Sequence, residues 1–256
     1  MINNPIGFLS LSKREILRFF SVSSQTIFPP LISSTLFILI FGVAIGSRVD
    51  FGISGLSYLA FIVPGLMTMH LISGSYENTS SSLFIARWHN HIQEMLLSPL
   101  SYFEMVLGLL AGGVARGIVV STGVFLISCF FTPIGIYHFF WLIYFVLMIS
   151  VIFSCAGMMA ALWAEDFGML NVWHVYAIIP LVLLGGVFHP IEFLPEWLQT
   201  FSHLNPMLYL VSGIRYSMTG VTQIPMGICA SIAFLMAIIS FYFTVYLFRI
   251  GYKLRS

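Results

Sequence analysis

The sequence predicts an all-α integral membrane protein with six transmembrane helices, an N-terminal amphipathic interfacial helix and two short re-entrant helices between spans 5 and 6. Two observations support this fold class. Hydrophobic residues make up 59% of the 256 residues and charged residues only 7%, which leaves too little polar surface for a water-soluble domain of this size. Apolar runs long enough to cross a bilayer, about 20 residues each, occur six times between polar segments.

Charged and turn-forming residues mark the ends of the spans. The predicted spans cover about 27–46, 57–77, 103–131, 139–162, 172–188 and 226–248. Span 1 opens with Pro29 and Pro30, and proline is tolerated in the first helical turn because its missing N–H has no partner there. Because the spans leave no segment for a separate soluble domain, we expect a single transmembrane domain over residues 1–256.

Lysine and arginine are distributed unequally between the two sides that six spans define. The side with both termini would carry seven basic residues, Lys13, Arg14, Arg18, Arg87, Arg249, Lys253 and Arg255. The other side would carry two, within the turn 46–55 and in the 189–225 segment, Arg48 and Arg215. Since cytoplasmic loops carry an excess of Lys and Arg, we predict a multi-pass protein with cytoplasmic N- and C-termini.

Residues 11–20 form an amphipathic segment ahead of span 1. Its apolar side contains Leu11, Ile16, Leu17, Phe19 and Phe20, and its polar side contains Lys13, Arg14, Glu15 and Arg18. A helix of this type lies in the membrane interface with its basic side toward anionic headgroups. Two interpretations stay open: a plain juxtamembrane anchor, or a helix with a specific partner contact.

The polar segment at about 84–98, between spans 2 and 3, predicts a second amphipathic helix on the cytoplasmic side. Its polar and aromatic residues are Arg87, Trp88, His89, Gln93 and Glu94. Pro99 marks its end, because the residue before a proline is disfavoured in a helix. Such a helix either offers a ridge to a cytoplasmic partner or serves as an interfacial connector without one.

The segment 189–225 is too polar and proline-rich for a span, yet too apolar for a free loop. Pro195, Glu196 and Trp197 predict the start of one short helix, and Asn205 and Pro206 predict a break before a second. Helical backbone that enters a bilayer part-way must be covered by protein or by a wet cavity. We therefore expect two short re-entrant or interfacial helices at the outer end of the bundle.

Arg116 is the one charge near the middle of a predicted span. An arginine at that depth costs roughly 2.5–3.5 kcal/mol on insertion scales, so it must face protein or water. It either contacts an anionic or polar group of a substrate, or it pairs internally with backbone carbonyls or with a carboxylate such as Glu77 or Glu104. The glycines around it, Gly108-xxx-Gly112 and Gly113-xxx-Gly117, allow close helix packing.

The sequence lacks the motifs that are typical of several classes of activity. His89 and His91 are two residues apart and do not share a helical face, and neither an HExxH nor a CxxC motif occurs. The two lysines, Lys13 and Lys253, lie outside any glycine-rich turn, so the sequence has no P-loop. We expect no metal, no cofactor, no catalytic residues and no ATPase activity in this chain, and its net charge of +1 gives no basic footprint for nucleic acid.

Six short motifs follow one another in order along the chain. They are Gln25 with Pro29-Pro30, 61-FIVPGLM-67, 93-QEMLLSP-99, 112-GGVARG-117, 185-GGVF-188 and 203-HLNPMLYLVSGIRYSMTG-220. Each motif is weak alone, but their order and spacing over about residues 10–250 are specific. With these motifs the chain resembles the permease subunit of ABC-2 type transporters, most closely the YadH-type inner-membrane permeases of bacteria.

The resemblance implies a permease that dimerises in the bacterial inner membrane and pairs with two copies of a separate ATPase. It implies that 84–98 is the coupling helix that sits in a cleft of the ATPase, so that its polar and aromatic residues become candidate docking residues. It also implies that 11–20 is a gate helix on the membrane surface. We expect the 189–225 segment to form the outer gate, with Trp197, Asn205, Pro206 and Arg215 as its candidate residues.

The resemblance implies export of drugs, polysaccharides, lipids or other amphiphiles, and the sequence does not select among them. Two other classes are weighed against this one. A stand-alone secondary transporter is expected to show inverted repeats and mid-span carboxylates, and neither is visible in the sequence. An intramembrane enzyme needs a nucleophile and a base at depth, for which Ser73 with His70 is the only near match.

Overall fold

The computed structural model describes residues 4–45, 56–222 and 224–254, and within these ranges it contains helices and irregular segments but no β-strand. Six of its helices are long and apolar enough to cross a membrane. They are Ser23–Gly42, Tyr58–Trp88, Tyr102–Ser128, Phe139–Trp163, Phe167–Leu184 and Met226–Ile250, and they are named spans 1 to 6. The predicted all-α fold with six spans is confirmed. The predicted turn 46–55, which contains Arg48, and Arg255 lie outside the described residues.

Shorter helices complete the fold. The N-terminal helix, Pro5–Ser21, precedes span 1, and the connector helix, Ile92–Leu97, joins spans 2 and 3. Between spans 5 and 6 lie a 3-10 turn, Ile191–Phe193, the first loop helix, Glu196–Leu204, and the second loop helix, Pro206–Thr219. The prediction of two short helices in this segment thus matches the structure, and their re-entrant depth stays a prediction.

The helix of span 2 continues beyond the predicted membrane segment 57–77. The polar residues after Glu77 suggested an end at 77, but the helix runs to Trp88. Those polar groups are buried and bonded inside the protein: the Thr79 hydroxyl donates to the backbone oxygen of Ser154 at 2.8 Å, and the Ser82 hydroxyl donates to Glu15 at 2.5 Å. Polar residues that find partners on neighbouring helices do not end a helix.

The helix of span 5 covers Phe167–Leu184, whereas the predicted membrane segment covers 172–188. It begins at Phe167 because the Asp166 carboxylate accepts a hydrogen bond from the backbone N–H of Met169 at 2.8 Å and caps the helix. It ends at Leu184, before Gly185 and Gly186, and Gly186 has φ +78. Glycine adopts this left-handed conformation without a steric cost and so allows the chain to turn here.

Span 2 is the central helix of the bundle and packs most extensively against spans 3 and 4. In the most apolar 18-residue stretch of span 2, 78% of the residues are buried. The corresponding share is only 17% in span 1, 22% in span 5 and 22% in span 6. Close packing depends on the glycines of span 3, because a methyl group at Gly113 would collide with Ser154 and one at Gly117 with Ser75. The faces of spans 1, 5 and 6 are therefore left for lipid or for another protein chain.

Hydrogen bonds between loops define the two ends of the bundle. At one end, the backbone N–H of Asn4 donates to Glu104 at 2.7 Å, and Lys253 pairs with Glu165 at 2.9 Å. This end therefore carries both termini, and we name it the termini end. At the opposite end, the backbone N–H of His138 donates to the backbone oxygen of Ser217 at 2.8 Å.

Candidate functional site

The N-terminal helix packs against span 3 along a line of small residues. Its buried residues are Leu11, Ser12, Glu15 and Phe19. A methyl group at Gly108 would lie 2.5 Å from the Leu11 side chain, and one at Gly112 would lie 2.7 Å from the Cβ atom of Glu15. The two glycines therefore form a groove that only a close-packed helix fills.

The four charged residues of this helix do not form the one exposed polar face that the sequence predicted. Lys13 and Arg14 are exposed, but Glu15 is fully buried. Glu15 accepts hydrogen bonds from Ser82 at 2.5 Å and from Arg18 at 3.4 Å. Arg18 in turn donates to the backbone oxygen of Asn78 at 2.7 Å and to its side-chain oxygen at 3.0 Å. Glu15 and Arg18 thus bind span 2, and the exposed basic side is reduced to Lys13 and Arg14.

Burial changes the electrostatics of this contact. Desolvation lowers the pKa of the Arg18 guanidinium from its ordinary value, and the neighbouring Glu15 carboxylate opposes that shift. An ion pair in this position is favourable only when its remaining hydrogen-bonding groups are also satisfied. Asn78 and Ser82 satisfy them here, so the N-terminal helix is fixed to span 2 by a connected polar network.

The 84–98 segment is a bent structure rather than one helix. Span 2 ends at Trp88, a turn follows in which Asn90 has φ +60, and the connector helix then covers Ile92–Leu97. Ile92 and Met95 are 3% and 6% exposed and hold the connector helix against the bundle. Asparagine is among the few residues other than glycine that adopt a left-handed backbone readily, which explains the sharp turn.

Four of the five predicted docking residues lie on the surface of this bend. They are Trp88, His89, Gln93 and Glu94. With the intervening His91, they form an exposed surface at the termini end, which we name the ridge. Trp88 packs on Phe167 of the neighbouring connection, with ring centroids 5.6 Å apart.

Arg87, the fifth predicted docking residue, points into the protein. Its guanidinium donates to the backbone oxygen of Ala161, and to those of Leu162 and Ala164 at 3.3 Å each. These carbonyls are at the C-terminal end of span 4, where the last backbone oxygens of a helix have no helical partner and attract cations. Arg87 therefore ties the base of the ridge to span 4, a role that sequence spacing did not indicate.

Arg116 forms an internal ion pair. Its Nη2 atom lies 2.6 Å from the Oε2 atom of Glu77 in span 2. Glu104, the other carboxylate considered from the sequence, forms a capping box with Ser101 at the start of span 3 and accepts from the Asn4 N–H. Of the sequence alternatives for Arg116, the structure shows the carboxylate pair.

The predicted outer-gate residues join the two loop helices to the bundle. The Asn205 side chain accepts from the backbone N–H of Met207 at 3.0 Å and donates to the backbone oxygen of Leu181 at 2.5 Å. It thus caps the second loop helix, whose first residue is Pro206. Trp197 is 65% exposed and presents the apolar face of the first loop helix to the surroundings.

Arg215 is buried in the second loop helix, where it connects three elements. Its guanidinium donates to the backbone oxygen of Gly186 at 2.5 Å and to that of Phe61 at 3.4 Å. The same group lies 3.9 Å above the centre of the Phe61 ring, a cation–π geometry. Arg215 therefore holds the second loop helix to the adjoining ends of spans 2 and 5.

Comparisons with known proteins agree with this architecture. A family model described as ABC-2 type transporter matches residues 7–219. The chain is 38% identical over 221 residues to the inner membrane transport permease YadH of Escherichia coli (strain K12), covering 86% of each chain. It is 28% identical to the putative transport permease ycf38 of Cyanophora paradoxa, over 82% of this chain and 70% of that one. It is also 25% identical to the nodulation protein J of Neorhizobium galegae, over 72% of this chain and 71% of the relative. The extent of these matches, together with the six apolar helices, shows that the chain belongs to the ABC-2 type transporter family.

Proposed function

We propose that this chain is the transmembrane permease subunit of an ATP-binding cassette exporter in a bacterial inner membrane. In this proposal two copies form the substrate path, and two copies of a separate ATPase supply the energy. Membership of the ABC-2 family supports it, as do the names of two relatives, which describe them as transport permeases. The structural observation that carries the proposal is the exposed ridge at the termini end, which the bundle holds rigidly from beneath.

The ridge has the properties of a docking surface. Its outward side combines an aromatic ring, two imidazoles, an amide and a carboxylate, while Ile92 and Met95 are buried beneath it. Aromatic side chains at the centre of a mixed polar surface are typical of binding hot spots. We propose that the ATPase binds Trp88, His89, Gln93 and Glu94.

The attachment of the ridge provides a route for movement. Trp88 is the last residue of span 2, and Arg87 beside it is bonded to the end of span 4. A displacement of the ridge therefore pulls on the two helices that pack most closely in the bundle. We propose that ATP binding by the partner moves the ridge and that the two bundles then rock about a central path.

Exposed polar side chains on span 1 are an argument for the proposed dimer. Gln25 and Ser33 are exposed, although they lie on a candidate membrane span. Polar side chains within a membrane generally face protein or a water-filled cavity rather than lipid. We propose that a second copy of the chain covers this face of span 1 and encloses the path.

The N-terminal helix and the loop helices have complementary proposed roles. Because its Glu15 and Arg18 are bonded to span 2, we propose that the N-terminal helix is a gate helix that follows the movement of that span. We propose that the two loop helices form the outer gate, with Asn205, Pro206 and Arg215 fixing their position and Trp197 at the exposed face.

Co-purification with the cognate ATPase tests the proposal. Alone, the chain is expected to show no ATP hydrolysis, and together the two proteins are expected to form a stable complex. The substitutions Trp88→Ala and Glu94→Lys in the ridge should each raise the dissociation constant of that complex at least tenfold, since a hot-spot residue contributes about 2 kcal/mol or more. Glu196→Lys, an exposed carboxylate change in the first loop helix, is the matched control and should leave binding unchanged. A complex that tolerates both ridge changes, or that loses binding only with the control, contradicts the proposed docking surface.

A further inference from the structure

A polar chamber lies between spans 1, 2 and 3. Its volume is about 330 Å³. The polar residues that line it are Gln25 and Ser33 from span 1, His70, Ser73 and Glu77 from span 2, and Arg116 from span 3. Arg116 is 14 residues into span 3, which places it about 21 Å along the helix from Tyr102 at 1.5 Å per residue. The chamber lies beside the first turns of span 1, and it is open toward the face of span 1 on which Gln25 and Ser33 are exposed.

Glu77 is the charged group that the chamber exposes. The side chain of Glu77 is 40% exposed, whereas that of Arg116 is only 8% exposed. The guanidinium binds the Oε2 atom of Glu77, and within the described part of the chain no group donates to the Oε1 atom. The chamber thus presents a free hydrogen-bond acceptor, and the positive charge of Arg116, which also lines it, is paired with Glu77.

Further polar groups of the chamber lack internal partners. The Nε2 atom of His70 has no hydrogen-bond partner among the described residues, and the residue is only 7% exposed. The side chains of Gln25 and Ser33 are exposed and form no hydrogen bond with any described residue. Ser73 has one partner, the Nε2 atom of His174 at 3.0 Å. Since unsatisfied polar groups in a membrane cost several kcal/mol each, these groups indicate a chamber that holds water or a polar ligand.

The charge balance restricts which ligand the chamber accepts. Glu77 and Arg116 offset each other, so a ligand with a net charge would bring an uncompensated charge into a site of low dielectric constant. An uncharged ligand that donates hydrogen bonds avoids this cost and satisfies the free carboxylate oxygen. Hydroxyl groups fit this requirement, because each donates one hydrogen bond and accepts others from the Gln25 amide and the Ser33 hydroxyl.

We propose that this chamber binds the uncharged, hydroxyl-bearing head group of a transported amphiphile. The proposal rests on the proposed permease function and adds the chemical class of the head group to it. Pro29, Pro30 and Met69, which also line the chamber, give it an apolar wall against which the start of an alkyl chain can pack. The chamber thus distinguishes ligands by their head group rather than by their alkyl chain.

A photoaffinity experiment tests this selectivity on the unaltered complex with its ATPase in lipid nanodiscs. The probe is decyl glucoside with a diazirine at the alkyl carbon nearest the head group, and mass spectrometry identifies the labelled peptides. The competitors share the ten-carbon chain: decyl glucoside is uncharged, decyl sulfate is anionic and decyltrimethylammonium is cationic. We expect labelling in spans 1 and 2 beside the chamber, and competition at least tenfold more effective by decyl glucoside than by either ion.

Two substitutions outside the Arg116–Glu77 ion pair provide a second, independent test. Gln25→Leu combined with Ser33→Ala removes two of the proposed hydrogen bonds and should weaken glucoside labelling about tenfold. Ser24→Ala is the matched control, because Ser24 is exposed on the same span but does not line the chamber. The control should label as the unaltered chain does.

Three results would overturn the proposal. They are stronger competition by either charged amphiphile, equal competition by all three amphiphiles, and labelling that the double substitution leaves unchanged. Each can occur in a complex that still assembles and hydrolyses ATP, in which case the permease function stands and only the head-group assignment fails. Failure of the proposed function itself would appear earlier, as the absence of a complex with the ATPase.

Discussion

Three buried charges show how single residues shape this bundle. Glu15, Arg116 and Arg215 are 0%, 6% and 8% exposed, and each has specific partners: Ser82 and Arg18, Glu77, and two backbone oxygens with an aromatic ring. A buried charge that loses its partner is strongly destabilising, whereas a pair replaced together often costs little. These residues therefore join particular helices to one another.

The Arg116–Glu77 pair gives a prediction at this scale. Glu77→Gln leaves a guanidinium without its charge partner and should lower the free energy of unfolding by about 2–3 kcal/mol, less than for a fully buried pair because Glu77 is partly exposed. The double change Glu77→Gln with Arg116→Gln removes both charges and should cost less than the single change. Unfolding by sodium dodecyl sulfate in mixed micelles measures both. A double variant that is less stable than Glu77→Gln would show that the pair is not the reason for the loss.

Sequence information at the residue scale was sufficient to locate some of these groups but not their surroundings. Arg116 is conspicuous because no other charge lies so deep in an apolar run, and Glu77 was among its possible partners. The inward positions of Glu15 and Arg87 were not predictable, since they depend on groups from other helices. Glu15 is buried because Gly112 of span 3 leaves room for it, and Arg87 faces inward because span 4 ends beside it.

Among the contacts between whole helices, the close packing of the N-terminal helix on span 3 is the main feature. Gly108 and Gly112 form the groove, and the polar network from Glu15 to Asn78 fixes the orientation. An interfacial anchor alone would need neither the groove nor a buried carboxylate. The helix therefore has a specific contact within its own chain, in addition to its exposed basic residues.

Gly112→Val should displace this helix. The added side chain meets Glu15 and, as overpacking, costs about 1–3 kcal/mol, so the bonds of Arg18 should be lost. Limited trypsin digestion in nanodiscs should then cleave after Arg18 faster than in the unaltered chain. Gly227→Val is the matched control, because a methyl group at Gly227 meets nothing within 4 Å. Equal cleavage rates for Gly112→Val and the unaltered chain would contradict the groove.

Element boundaries were predicted best where local chemistry sets them. Pro195 and Asn205 flank the first loop helix as expected, because capping residues and prolines act within one turn. The helix of span 2 ends at Trp88, 11 residues beyond the predicted membrane segment's end at 77. Thr79 and Ser82 are polar in sequence, but they are bonded to neighbouring helices. Hydropathy cannot identify such tertiary partners.

At the scale of the whole molecule, the two ends of the bundle carry different elements. The ridge, the N-terminal helix and the C-terminal tail lie at the termini end, and the two loop helices lie at the opposite end. From the positive-inside rule we propose that the termini end lies in the cytoplasm, on the side where the proposed ATPase would bind. In this proposal the opposite end faces outward, as the proposed outer gate requires.

Cysteine labelling in intact cells tests this orientation. The three native cysteines, Cys129, Cys155 and Cys229, are first replaced, since all are free and Cys129 is exposed. A membrane-impermeant maleimide should label Glu196→Cys in the first loop helix and should reach Gln93→Cys in the ridge only after the cells are opened. Labelling of the ridge cysteine in intact cells would reverse the orientation.

The central claim is that energy from a separate ATPase enters this chain through the ridge. Amide hydrogen exchange tests it most directly, by comparing the chain in nanodiscs with and without its cognate ATPase. The account predicts that binding slows exchange most strongly at residues 88–97, which include the turn at Asn90 and the connector helix, and leaves the loop helices at the opposite end unprotected. Binding of the ATPase without protection at 88–97, or with its main protection at the loop helices, would contradict the account.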